Sequence, residues 1–379
     1  MEPPTLAKFL QLRTESYGLL LLVVSSMLFS SQGCFIQLAA SAGVPSTEQV
    51  FIRAVFQGSL VMAAMTHLRA SSDYQGQVGT ALIRSPWGGS TELRGVVIAR
   101  GIIGGFCFVI RFYTIAHLSL GDAITLSSLH PIITVFSAAF FLGETIRLVS
   151  VIAAAASITG AVLIARPTFL FGDMELDSTL HRSDSATSLA YLAAFVSTCC
   201  ASAIFVLIRK AGTLGVHTLQ LLFSWAVFGV FFSALIGNVI GSNSEESEWC
   251  VPSSPEAWKY VAGICFSGST AHFLMNYAGR LTPAVVFSMA RSCDIIWGYI
   301  WQVFIFKDTP RISTLFGVVL ICASLVTIAI QKGCEREGEE EVTVESEITP
   351  LQGGMEANGS SAEVQITYGG VKHFKDNGH

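Results

Sequence analysis

The sequence predicts an all-α membrane protein: ten transmembrane helices arranged as two inverted five-helix repeats. Three observations predict it. First, 51% of the 379 residues are hydrophobic and only 13% are charged, with a mean hydropathy of +0.58; a soluble globular domain carries roughly 25% charged residues. Second, the apolar residues gather into ten runs of about 20 residues, the length that spans a bilayer as a helix. Third, the runs divide five and five, and Ala123 through Leu142-Gly143-Glu144 is like Ala284 through Phe306-Lys307-Asp308 with a small gap. Because five is odd, a second half of the same plan enters the membrane in the opposite orientation.

Taken in order, residues 1–16 are a polar N-terminus with no cleavable signal peptide, since the first apolar run is long enough to stay as a helix. The first repeat, 17–167, holds Tyr17–Ala39, Thr47–Thr66, Leu93–Ala116, Leu120–Leu142 and Leu148–Ala165. Within it, Arg69–Thr91 is rich in Gly and Ser and reads as a polar loop, and His130-Pro131 interrupts the fourth span. A connector, 168–187, leads to the second repeat, 188–331, with Ser188–Ile208, Thr218–Ile240, Trp258–Arg280, Pro283–Phe306 and Ile312–Ile330. Residues 332–379 lack apolar periodicity and read as an acidic, disordered cytosolic tail. That tail holds ten acids against four bases, a charge of −6, so the rest of the chain is about +1 within the whole-chain −5.

Orientation follows from Lys and Arg in the loops. With the N-terminus inside, the inner side collects Lys8, Arg13, Arg69, Arg84, Arg94, Arg147, Arg209, Lys210, Arg280, Lys332 and Arg336. The outer side keeps Arg166, Arg182, Lys259, Lys307 and Arg311. Both termini are therefore expected in the cytosol. Whether the membrane is the plasma membrane or the endoplasmic reticulum stays open, with no receptor-read retention tetrapeptide at the end of the chain.

Composition and motifs exclude several classes. No basic surface points to nucleic acid. The histidines are scattered, without an HExxH pair, a nucleophile elbow or a P-loop, so an enzyme is not expected. The nine cysteines show neither a disulfide framework nor metal-type spacing. No cofactor and no metal are expected.

What remains are polar residues inside apolar runs. A full charge at the centre of a membrane helix costs about 2.5–3.5 kcal/mol, so such residues face a cavity or a partner. Arg291 and Asp294 are three apart and share a helix face, which Gly298 and Gln302 continue. The stripe either lines a transport pathway or is an ion pair that only locks helices. Arg53, Arg100 and Arg291 are the candidate anion-binding cluster, because the planar guanidinium fork makes bidentate bonds to carboxylates. Gln57 is four residues from Arg53 and adds a neutral donor. Each Arg has a plainer reading too: Arg53 pairs with Glu48, and Arg100 snorkels to the inner headgroups. Arg111, about 16 Å along the helix from Arg100, reads as an interfacial anchor or outer gate. Asp294 and His130 are the candidates for carrying a coupled proton, and Pro131 is expected to kink its helix. Gly101 and Gly105 form a small-xxx-small face for close packing. His272 and Asn276 share a face and either line the cavity or bond to a neighbouring helix.

Several stretches together carry a family likeness: Phe51–Gln57 (FIRAVFQ), Arg100–Gly104 (RGIIG), Ser119–Ala123 (SLGDA), Phe141–Glu144 (FLGE), Ile158–Gly172, and Arg291–Asp294 leading to Trp301-Gln302 and Thr309-Pro310. In this order they resemble the drug/metabolite transporter superfamily, with its EamA-like repeats, and more closely solute carrier family 35, subfamily G. Arg111 and His130 depart from that pattern. The resemblance implies a ten-helix drug/metabolite transporter fold with a central cavity. It implies transport of nucleotide sugars or other organic anions, and for subfamily G either a carboxylate such as citrate or a role in calcium homeostasis at the endoplasmic reticulum.

The expected function is therefore secondary transport of a small organic anion, a di- or tricarboxylate such as citrate, coupled to a proton or a counter-anion. Its site residues are Arg53, Gln57, Arg100, His130, Arg291, Asp294 and Gln302. The alternatives are a membrane regulator that binds a calcium pump and a nucleotide-sugar exchanger. The partners common to all are the lipid bilayer and no nucleic acid.

Overall fold

Two turns of the chain are built from the same four residues' worth of chemistry. Gly43-Val44 follows the first helix and Gly215-Val216 follows a later one, with both glycines left-handed, at φ 84° and φ 73°. In each, the valine N–H returns to a carbonyl five residues back, Val44 to Ala39 at 3.0 Å and Val216 to Ala211 at 2.9 Å. Both valines are buried. This is the glycine-terminated helix end, with its orphan carbonyl satisfied and an apolar residue folded back beneath it. Each turn delivers the chain at once into the next helix, beginning at Ser46 and Thr218.

In this computed structural model the described residues are 4–70, 74–117, 126, 129–143, 148–165, 184–241, 252, 254–306, 312–313, 315–324, 326–327 and 330. Among them the regular structure is helical: α1 (Pro4–Ser41), α2 (Ser46–Arg69), α3 (Tyr74–Arg84), α4 (Thr91–His117), α5 (His130–Leu142), α6 (Leu148–Ala165), α7 (Asp184–Thr213), α8 (Thr218–Gly241), α9 (Pro255–Leu281), α10 (Ala284–Arg291), α11 (Cys293–Phe306) and α12 (Leu315–Ser324). All lie in one unit, Met1–Ala329. Among the described residues, five stretches are long and apolar enough to cross a membrane: Tyr17–Ser41, Ser46–Arg69, Thr91–Thr114, Leu189–Thr213 and Thr218–Asn238. α5, α6 and α12 are shorter apolar helices.

The polarity of the helical unit is inverted relative to a soluble domain. Leu20, Leu60, Phe140, Ile152, Leu192, Phe231, Phe266 and Phe316 are exposed, while Arg53, Arg100, His272 and Asn276 are fully enclosed. Lipid rewards that arrangement and water does not.

α1 packs broadly on α9, and α8 lies against both α2 and α4. The α4–α8 crossing is as close as glycine allows: a methyl on Gly105 would lie 2.7 Å from the Phe228 carbonyl carbon, and one on Gly101 2.9 Å from the Ser224 carbonyl oxygen. The small-residue face is thus a helix contact. The same device joins α6 to α12, where a methyl on Gly160 would come within 2.6 Å of the Gly317 oxygen.

Three expectations need correction. The Arg69–Thr91 stretch contains a helix, α3, because Val78 and Leu82 form an i,i+4 apolar stripe hidden in a polar composition; it packs on Met65 and Leu222. The ninth span is not one helix. α10 ends at Arg291, Ser292 is a turn, and α11 starts at Cys293. Tight three-residue bonds bridge the break, Ser292 N to Met289 O at 2.9 Å and Ile295 N to Ser292 O at 3.2 Å. His130 is not mid-helix but opens α5, and Pro131 sits in its first turn, where no intrahelical bond is lost. α1 and α7 run on in the N-terminal direction beyond their apolar stretches, from Pro4 and Asp184, while the apolar stretches themselves begin at Tyr17 and Leu189. Residues 118–125, Glu144, 166–183, Asp308 and the 331–379 tail lie outside the described residues.

Candidate functional site

Arg53 on α2, Arg100 on α4 and Arg291 at the end of α10 converge on one set of rings. The Arg53 guanidinium lies 4.7 Å from the Phe108 ring centre and 4.6 Å from that of Trp225. Its Nη2 donates to the Gly268 carbonyl at 2.9 Å, across to α9. Arg291 stacks over Phe29 at 4.5 Å. Phe29 lies 6.4 Å from both Phe108 and His272. Cation–π contact of this kind is worth about 2 kcal/mol or more once water is removed, so rings hold these charges without cancelling them.

Arg100 does not snorkel; it is fully buried. Its Nη2 donates to His272 Nε2 at 2.9 Å and to Asn276 Oδ1 at 3.3 Å. A guanidinium only donates, so His272 Nε2 must be the acceptor and Nδ1 carries the ring proton. Nδ1–H then donates to Gln57 Oε1 at 3.1 Å. Asn276 is oriented in turn by its own bond to the His272 carbonyl, 2.8 Å. The His272 ring meets Trp225 edge-on at 4.7 Å and Phe108 at 5.6 Å.

Two glycines make the space. A methyl on Gly268 would lie 2.5 Å from Arg53 Nε and 2.6 Å from Gln32 Nε2. One on Gly104 would strike the Arg100 guanidinium itself.

Arg291 is held differently. Its Nη2 donates to Asp294 Oδ2 at 2.8 Å, and Nη1 lies 3.5 Å from Ser26 Oγ on α1. The same Asp294 oxygen is 3.8 Å from Arg111 Nη2. Arg111 is the wet end of the group, its side chain 38% exposed against 20% for Asp294 and 7% for Arg291. Two guanidinium groups, those of Arg291 and Arg111, thus share one carboxylate.

The donors outnumber their acceptors. Nε and Nη1 of Arg53, Nε and Nη1 of Arg100, Trp225 Nε1 and Gln32 Nε2 are buried without an acceptor among the described residues. Buried donors left unpaired cost about 1–3 kcal/mol each, and more when charged. Such a concentration of them calls for a functional explanation.

Of the residues singled out in the sequence, Arg53, Gln57, Arg100, Arg291 and Asp294 come together. His130 does not join them: it sits on α5, which packs mainly on α7 and α10, with its ring 5.3 Å from Phe205. Gln302 lies on α11, and its side chain is outside the described ones. His272, Asn276 and Arg111 belong to the group although the sequence did not assign them to it. The i,i+4 pair of polar residues on the eighth span was the signal for the first two. Phe29, Phe108 and Trp225 carried no signal, because an aromatic in an apolar run looks the same whether it faces lipid or a guanidinium. Among the described residues no three His, Cys, Asp or Glu side chains gather as a metal site, and the seven described cysteines are free thiols.

The sequence profile of the EamA-like transporter family matches twice, over residues 16–166 and 188–330. Human solute carrier family 35 member G1 is 25% identical over 315 residues, covering 83% of this chain and 79% of that protein. The pseudopaline exporter CntI of Pseudomonas aeruginosa is 24% identical over 317 residues, covering 83% of this chain and 96% of its own. A solved crystal structure of a protein superposes with a TM-score of 0.61 at 18% identity, over 83% of this chain and 97% of the other; at that identity it speaks to fold alone.

Proposed function

The chain belongs to the EamA-like transporter family, and from that premise we propose that it is a secondary transporter of a small organic anion, a di- or tricarboxylate such as citrate, working by alternating access. The observation that carries the reading is the set of buried guanidinium groups, Arg53, Arg100 and Arg291, with unpartnered N–H donors and one carboxylate among them. Carboxylate oxygens are the acceptors this set lacks, and a ligand with two or three negative charges balances the excess of Arg. One relative is named for pseudopaline, so membership gives transport and the buried charges argue the cargo.

The wider architecture of the reading is ten spans in two inverted five-helix repeats, 17–167 and 188–331, with both termini in the cytosol. Two matches of one family profile support the repeats, as do the paired Gly-Val turns at 43–44 and 215–216. Sites of such transporters lie where interrupted helices meet near the midplane, and the Ser292 break beside Arg291 and Asp294 fits that position. His130 and Gln302 remain candidates for the pathway, Asp294 and His130 for a coupled proton if a counter-anion is not exchanged, and the membrane is the plasma membrane or the endoplasmic reticulum.

The test is uptake of labelled citrate, succinate and a nucleotide sugar into proteoliposomes, for wild type and Arg291→Ala, at two pH values. Saturable citrate uptake is expected. Truncating one partner of a buried charge pair costs about 2–5 kcal/mol, so Arg291→Ala should weaken it about 30-fold or more. Uptake of the nucleotide sugar alone would move the assignment to an exchanger. Folded protein that carries none of these anions would overturn the reading in favour of a regulator, for which calcium-pump binding is the next measurement.

A further inference from the structure

Arg100 and Arg291 are both buried guanidinium groups, yet they are held by opposite means. Arg291 is held by a carboxylate, Asp294, which cancels its charge. Arg100 is held by two neutral acceptors, the ring nitrogen of His272 and the amide oxygen of Asn276. A carboxylate in place of His272 would make a stronger bond to Arg100 and would leave nothing for an anion to neutralise. The neutral ring fixes the Nη2 edge and leaves the charge, with Nε and Nη1 still unpartnered.

We infer that His272 is a positioning residue: a neutral Nδ1–H imidazole that clamps Arg100 without discharging it, so that the full positive charge is presented to the anion. The inference rests on the anion-transport reading above and adds the residue that sets its affinity. Three features make the clamp rigid. The ring is fully enclosed. Its second nitrogen is committed to Gln57 on α2, so it cannot turn over without breaking both bonds. Trp225 and Phe108 pack on its edge and face. His272 therefore ties α9 to α2, α4 and α8 through one side chain.

The test uses two near-isosteric replacements that differ in charge. His272→Gln keeps a neutral acceptor for Arg100, and His272→Glu supplies a charged one. Citrate KM for His272→Gln is expected within about threefold of wild type. His272→Glu is expected to raise KM about 30-fold or more, the effect of cancelling a buried charge contact, with a thermal transition no lower than that of the Gln variant. Equal KM values for the two variants, or a Gln variant as impaired as the Glu one, would overturn the inference. A second measurement needs no substrate. Nitrogen-15 NMR of histidine-labelled protein in detergent should show one ring, lost in His272→Gln, with a protonated Nδ1 and an unprotonated Nε2. A protonated Nε2 on that ring would equally overturn it. Failure of wild type to take up any anion would instead remove the transport reading and leave the ring state as measured.

Discussion

Two polar regions run through this helical unit, and they are finished to different degrees. Between α5 and α7, beside the buried His130 ring, the hydrogen-bonded side chains are hydroxyls. Thr134 Oγ1 donates to the His130 carbonyl at 2.7 Å and lies 3.2 Å from Ser202 Oγ, which is 3.3 Å from Ser137 Oγ. Thr198 reaches the Ala194 carbonyl at 2.8 Å and that of Leu126 at 3.1 Å. Each of these hydroxyls finds a partner within the protein. Between α2, α4, α9 and α10 the groups are guanidiniums, and they keep donors to spare. Burial treats both alike, since polar atoms in an apolar interior must be bonded. The difference says which region is complete in itself. On the proposed reading, the satisfied region holds helices together and the unsatisfied one receives the anion.

The largest effect that would break this contrast is expected at Gly268. Gly268→Ala places a methyl 2.5 Å from Arg53 Nε and 2.6 Å from Gln32 Nε2, and Arg53, fully buried against both Phe108 and Trp225, has little room to yield. Displacing it forfeits a charge-assisted bond of about 1.5–3 kcal/mol, so half-saturation for citrate should rise about tenfold to 100-fold. Unchanged uptake in a folded Gly268→Ala protein would remove Arg53 from the site. A smaller effect of the opposite sign is expected at Asp294. Asp294→Asn removes the carboxylate that Arg291 and Arg111 share, which leaves both for the ligand. Citrate should bind about three- to tenfold more tightly and turn over more slowly, as for a carrier that releases its anion late. Weaker binding would mean that Asp294 acts by orienting Arg291 and not by competing with the substrate.

Much of this was legible in the chain. Arg53, Arg100 and Arg291 stand out because charge inside an apolar run is costly, and that cost is sequence-local information. Their meeting point was harder to read. His272 and Asn276 announce a polar face on α9 but not which helix it meets, and Arg111 looks interfacial until the α10–α11 break brings Asp294 beside it. The break itself has no glycine or proline to betray it; Ser292 adopts ordinary helical angles, φ −65° and ψ −14°, and only the hydrogen-bond pattern changes. α3 was missed because its stripe is two residues wide in a glycine- and serine-rich stretch.

The smallest expected effect tests the quieter region. Helix boundaries fall at Leu129-His130, where α5 opens, and at Ser292, between α10 and α11, and the sequence likeness of Ala123–Glu144 to Ala284–Asp308 pairs the two points. One boundary carries Arg291 and Asp294; the other carries His130 and the hydroxyl chain. If charge makes the site, the hydroxyl side is scaffold. Thr134→Val keeps the shape of the side chain and removes its bonds to the His130 carbonyl and to Ser202. Loss of one neutral hydrogen bond costs about 0.5–1.5 kcal/mol of stability, read as a lower thermal transition in detergent, with citrate uptake unchanged at a temperature where the protein is folded. A Thr134→Val protein of undiminished stability but altered uptake would show the reverse: that the transport path runs along α5 past His130 as well, and that the helices at the two boundaries work as a pair.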